Sequence, residues 1–165
     1  MGRRRVVQDA RRDREFEAFV AGAAGRLLHA ATLLTAEPPH DNPRARRLLT
    51  LALAHTYASW NRLRGEDPYD TARQHLAVRF ARGAWHWYGV PGRFRQKPAG
   101  VLARLSPQER LILVLRMYEG VAEEQTAALL GLPAERVRAI CARATATLLR
   151  PPATSAPAIV KVAPS

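Results

Sequence analysis

Apolar side chains along this chain return every three or four positions, the period of a helix with one buried face, and nowhere alternate over a strand's length. From Phe16 onward, Phe16, Phe19, Val20, Leu27, Leu28, Ala31 and Leu34 form one such stripe. The stretch Glu37-Pro38-Pro39-His40-Asp41-Asn42-Pro43 ends it, because adjacent prolines lack amide donors and clash with a preceding helical turn. A second stripe of Leu48, Leu49, Ala52, Leu53, Thr56, Tyr57 and Trp60 predicts a helix over 44–63. After the turn Gly65-Glu66-Asp67-Pro68, Asp67 can cap and Pro68 can open a third helix, running to about 87 and burying Leu76, Phe80 and Ala84.

Punctuation then divides the chain. Residues 89–103, with Gly89, Pro91, Gly92, Pro98 and Gly100, read as a linker. Residues 1–15 are Arg-rich and read as a frayed basic tail, and 151–165, rich in Pro, Ala and Ser, as a disordered one. The expected architecture is all-α: two small helical domains, 16–88 and 104–150, joined by a flexible linker.

The second domain opens on a helix start with a mechanism. Ser106 caps, Pro107 takes the first turn and Glu109 completes a capping box. Leu111, Val114, Leu115 and Tyr118 line that helix, and Gly120 ends it. A short helix over 122–130, a turn at Gly131 and a third helix over 133–149 follow. Two helices that cross tightly need a small residue at the crossing, a glycine in the turn and apolar residues facing inward. Ala127, Gly131, Val137 and Ile140 supply these at helix-turn-helix spacing. At 100° per residue, Val137, Ile140, Cys141, Ala144 and Leu148 gather on the inner side of the third helix. Glu135, Ala139, Ala142 and Ala146 face outward, with Arg136, Arg143 and Arg150 on one flank and Arg138 on the other. Small residues that allow close approach, edged by arginines, suit a helix entering a major groove.

Charge supports a polyanionic partner: 26 Lys and Arg against 14 Asp and Glu leave a formal net charge of +12. No apolar run approaches the roughly 18–20 residues that span a bilayer, and no apolar signal core follows Met1 to Arg5, so a cytoplasmic protein without membrane contact is expected. Cys141 is the single cysteine, which excludes an internal disulfide and a cysteine-based zinc site. His29, His40, His55, His75 and His86 have no metal-ligand spacing, no Gly-rich loop cradles phosphate, and no acid pair sits in an apolar setting. Neither an enzyme nor a cofactor is expected.

The residues also resemble a known family. LSPQERLILVLRMYEG over 105–120, followed by EQTAALLGL over 124–132, is similar to region 4 of extracytoplasmic-function sigma factors of the sigma-70 family. Phe16 to Val20, Leu27 to Thr35, Thr56 to Arg64 and Pro68 to Trp87 then resemble region 2, so the likeness covers about 16–150 and is nearest the actinobacterial sigma-E-like branch. The resemblance implies promoter DNA and core RNA polymerase as partners, leaves room for an anti-sigma factor, and assigns the −35 element to region 4 and the −10 element to region 2. Carried over position by position, Glu135, Arg136, Arg138, Ala139 and Arg143 become DNA contacts of region 4. Arg73, Arg79, Arg82 and Trp85 fall on the promoter-facing helix of region 2, where Trp85, Trp87 and Tyr88 offer rings for an unpaired base to stack on. Arg47, Leu48 and Thr50 fall on the polymerase-binding stretch, where the family has an acidic Asp-Leu-Val-Gln-Glu pattern and this chain has Arg47-Leu48-Leu49-Thr50-Leu51. Other departures are Val78 for Asn, Gly83-Ala84 for Asp-Arg, and Ile140 for a common Arg. Two alternatives stay open at this point: a sigma-derived regulator that binds DNA without productive polymerase binding, and a helical module whose partner is protein.

Overall fold

A computed structural model describes residues 2–63, 65–87 and 98–150, with side chains for 6–63, 65–83 and 98–150. The described residues form helices and turns without a strand: α1 (Gly2–Thr35), α2 (Pro43–Ser59) continued by a 3₁₀ turn (Trp60–Arg62), α3 (Pro68–Trp87), α4 (Pro107–Leu113) continued by a π-helical turn (Val114–Tyr118), α5 (Glu123–Leu130) and α6 (Ala134–Leu149). The expected C-terminal tail, most of the expected linker (89–97) and Tyr88 lie outside the described residues.

Helix α1 begins at Gly2, not at Phe16, so the basic start is helix and not a frayed tail. Its root is held against α2: Arg12 donates to the Tyr57 hydroxyl at 2.6 Å, and that hydroxyl donates to Asp13 at 2.7 Å. The Phe16 ring packs edge-on against Tyr57 and Trp60. Polarity alone suggested fraying; these tertiary contacts and the Arg11–Glu15 pair one turn apart carry the helix upstream. At the other end of the pair, Asn42 donates to Thr32 Oγ1 at 2.9 Å, so α1 and α2 run antiparallel. Val6–Thr35 is long and apolar enough to cross a bilayer by length and composition, contrary to the expectation that no run approaches this. Its stripe of Ala23, Leu27, Ala30, Ala31 and Leu34 is buried in the protein core, where α3 adds Ala72, Leu76 and Ala77.

The end of α1 is where the chain's two halves meet. Ala36 turns left-handed (φ 52°), and its carbonyl accepts from Ala99 N at 2.9 Å and Gly100 N at 3.1 Å. A Cβ on Gly100 would stand 3.3 Å from the Ala36 carbonyl carbon and from Glu37 O, so only glycine fits this approach. Leu102 and Leu105 are buried. Residues 98–103, expected in the linker, are therefore packed, because they satisfy the exposed carbonyl end of α1. Buried Arg110 of α4 reaches the same end, donating Nε to Leu34 O at 2.9 Å and Nη1 to Leu105 O at 3.0 Å. One apolar cluster runs from Ala31 and Leu34 through Leu76 and Ala77 to Leu111, Val114 and Leu115.

A second join lies at the π-helical turn. Glu119 N donates to Val114 O, five residues back, which rotates Glu119 away from the face it would occupy in an α-helix. Its buried carboxylate accepts from the Tyr69 hydroxyl of α3 at 3.0 Å and pairs with Arg26 of α1 at 3.4 Å. Arg26 also lies over the Tyr69 and Tyr118 rings. Burial and the neighbouring carboxylate push the Tyr69 hydroxyl well above its ordinary range.

Helix α2 has an unusual cap. Asn42 precedes Pro43 but makes no capping bond. Glu37 substitutes: its carboxylate accepts from Arg44 N at 3.1 Å and Ala45 N at 2.9 Å and pairs with Arg44 Nε at 3.0 Å. Burial would raise its carboxyl, but the donors from Ala45 and Arg44 outweigh that and hold it below the usual range. A carboxyl lowered by folding adds stability above its unfolded pKa of about 4.3, lost as pH falls through the folded value. Glu37→Gln is expected to destabilise the protein by about 1–3 kcal/mol at pH 7, measured by urea unfolding, with the difference from wild type shrinking below about pH 4. A difference independent of pH would sink the charged-cap account.

Candidate nucleic-acid interface

The α5–turn–α6 unit is assembled as the spacing predicts. Ala127 and Ile112 meet Val137 and Ile140 in one buried cluster, with Leu130, Leu132, Ala134 and Cys141 at its edge. Gly131 adopts the left-handed conformation (φ 65°), and Leu132 N closes the helix end on Ala127 O at 3.0 Å. Asp67 Oδ1 likewise accepts from Tyr69 N at the start of α3. The capping box at α4 is complete, with Ser106 N donating to Glu109 at 2.9 Å and Glu109 N to Ser106 Oγ at 3.3 Å. Burial pushes the Cys141 thiol up, in keeping with a packing role.

Helix α6 is two-faced. Val137, Ile140 and Ala144 are buried. Glu135, Arg136, Arg138, Ala139, Ala142, Arg143 and Ala146 are exposed. The arginines differ in what holds them. Arg138 makes two bonds to Glu123 of α5, at 2.7 and 3.3 Å, and Arg143 pairs with Glu109 of α4 at 2.9 Å. Glu123 and Glu109 are mostly buried, whereas the arginine side chains stay 69% and 63% exposed. Arg136 has no ion pair among the described residues. The carboxylate partners were not foreseen, because a pairing across 15 or 34 positions follows no helical repeat. Arginines aimed outward by half-buried carboxylates can exchange those partners for phosphate oxygens at small cost, since exposed pairs contribute only about 0–1 kcal/mol.

On α3 the structure separates the candidates. Arg79 and Arg82 are exposed on one face. Arg73 lies on the other side of the helix, its side chain 16% exposed and paired with Asp70 at 2.9 Å. Trp85 and Trp87 fall on α3, but their side chains lie outside the described residues. On the opposite side of Arg79 and Arg82 from Arg73, the face they share includes His75, whose ring stacks on His55 of α2. On α2, Arg47 and Thr50 point to solvent and Leu48 packs inward against the core. The α6 and α3 candidates thus stand on separate surfaces of one packed body. No group of three or more metal-ligating side chains occurs among the described residues.

The glycine in the α5–α6 turn gives a test of the assembly. A Cβ there meets nothing within 4 Å, so Gly131→Ala carries only the cost of a left-handed alanine. A loss of about 1–2 kcal/mol is expected in thermal or urea unfolding. No loss would mean that the turn is not held in this conformation.

Residues 101–148 match the family described as sigma-70, region 4. Over 154 aligned residues the chain is 30% identical to the RNA polymerase sigma-E factor of Streptomyces coelicolor, covering 81% of this chain and 84% of that protein. It is 29% identical over 156 residues to the protein of the same name from Streptomyces avermitilis, covering 81% of this chain and 83% of the relative.

Proposed function

Since the chain belongs to the extracytoplasmic-function sigma factors of the sigma-70 family, in the sigma-E-like branch, we propose a division of labour between its two halves in directing RNA polymerase to promoters. It binds core polymerase and promoter DNA, and the likeness to whole sigma factors along 81% of the chain, beyond the helix-turn-helix alone, disfavours a DNA-binding remnant. As a transcription factor it works in the cytoplasm, where the polymerase and the template are.

Helix α6 reads the −35 element. The observation that carries this is its outer face, where Ala139, Ala142 and Ala146 leave room for the groove and Arg136, Arg138 and Arg143 stand at the edges. Arg136 reaches a base edge, Arg138 and Arg143 exchange Glu123 and Glu109 for phosphates, and Glu135 can accept from a cytosine amino group. In region 2, Arg79 and Arg82 follow the backbone near the −10 element, and Arg47 and Thr50 of α2 present the polymerase-binding surface. Leu48 holds that surface in place from behind. An anti-sigma factor is a further partner that this family reading allows.

Run-off transcription with core polymerase on a promoter selected from a random library should give a defined transcript. DNA retention without a transcript would overturn the initiation role. Arg136→Ala should weaken promoter binding by about 1–3 kcal/mol and relax specificity at one position, measured by competition between sites. Ala142→Glu, on an exposed position, should abolish promoter binding while leaving the melting temperature within a few degrees of wild type. Normal promoter binding by both variants would remove α6 from the interface.

A further inference from the structure

Between α2 and α3 two histidines lie face to face, their ring centroids 4.0 Å apart and their planes 14° from parallel. His55 is exposed and His75 half-buried. The Nδ1 of His75 is buried without a hydrogen-bond partner. Positions 75, 79 and 82 fall on one face of α3, at the spacing of successive helical turns. The stack and two exposed arginines therefore make one basic strip contributed by two helices.

The strip is short of negative charge. Burial holds the His75 imidazole below its ordinary pKa, and His55 of α2 with Arg79 and Arg82 of α3 press it the same way. A neutral imidazole stacks on its neighbour without penalty. An imidazolium there faces only cations, and its buried nitrogen has no acceptor. A phosphate laid along the strip would supply the missing counter-charge and favour uptake of one proton from solvent.

We infer that His55 and His75, together with Arg79 and Arg82, form a phosphate-contacting strip on the α2–α3 face, one that grips nucleic acid more tightly as the imidazole stack takes up a proton. The inference rests on the reading of this face as a DNA-binding one and adds to it two residues that no arginine pattern identifies. The occupant is a nucleic-acid backbone because the strip continues along α3 as Arg79 and Arg82, a row of charges suited to successive phosphates and not to one ion.

The full chain with a labelled 30-base-pair duplex of random sequence, at fixed ionic strength, tests it. Wild type should bind about three- to tenfold more tightly at pH 6.0 than at pH 8.0, tenfold per pH unit being the ceiling for one proton. In H55Q/H75Q the ratio between the two pH values should fall to about one. A ratio unchanged in the variant overturns the strip, whereas no binding at either pH by wild type overturns the DNA-binding reading beneath it. Should the variant not fold, the ring-proton signals of His55 and His75 in wild type decide: their titration midpoints should rise with the duplex. Midpoints that stay put, or that rise equally with inorganic phosphate alone, overturn the assignment to nucleic acid.

Discussion

The last turn of α1 carries the architecture. Its carbonyls at Leu34 and Ala36 have no partner within the helix, and leaving such groups buried and unpaired costs about 1–3 kcal/mol each. Arg110 satisfies the first and the amides of Ala99 and Gly100 the second. All three donors come from the other half of the chain. The same contacts that finish the helix therefore dock α4 on α1, and the apolar cluster around Leu34, Leu105 and Leu111 closes over them. Buried Arg110 is tolerable because both acceptors are fixed carbonyls at the negative end of a helix.

With α4 placed, the reading unit follows. Ile112 of α4 is the floor on which Ala127, Val137 and Ile140 meet, so the crossing of α5 and α6 is fixed by a helix anchored to the other half. Glu109 links that anchor to the outer surface, capping α4 through Ser106 and orienting Arg143 of α6. Glu123 does the same for Arg138 from α5. The arginines are thus held in extended, outward positions before DNA arrives, which lowers the side-chain entropy lost on binding. The Glu119–Tyr69–Arg26 group ties the far end of the same helix to α3 and α1. A docked arrangement held at both ends keeps the α6 face open to solvent.

Much was legible in the sequence because local rules govern it. The periodic stripes of α2, α3 and α6, the Ser106–Glu109 capping box and the left-handed Gly131 each depend on residues within one or two helical turns. The inner and outer faces of α6 fell out of a 100° step alone, and Val137, Ile140 and Ala144 are buried as that step requires. The extent of α1 was not legible, since an arginine-rich start reads as solvated until Tyr57 and Asp13 are seen to hold it. Nor was the cap on α2: Glu37 looked like part of a helix-breaking run, and only the path of the chain through Pro38 and Pro39 brings its carboxylate back to Arg44 and Ala45.

The sequence by itself determined the all-α class, the helix-turn-helix and the family, because these rest on spacing within short segments. Tertiary structure decided which charges are available. Arg73 and Arg79 are equivalent as letters, yet one is tucked against Asp70 and the other stands in the open. Arg138 and Arg143 have carboxylate partners 15 and 34 positions away, and His75 faces His55 across two helices. The field at a side chain depends on distances in space, and the order of residues along the chain fixes those distances only once the helices have packed.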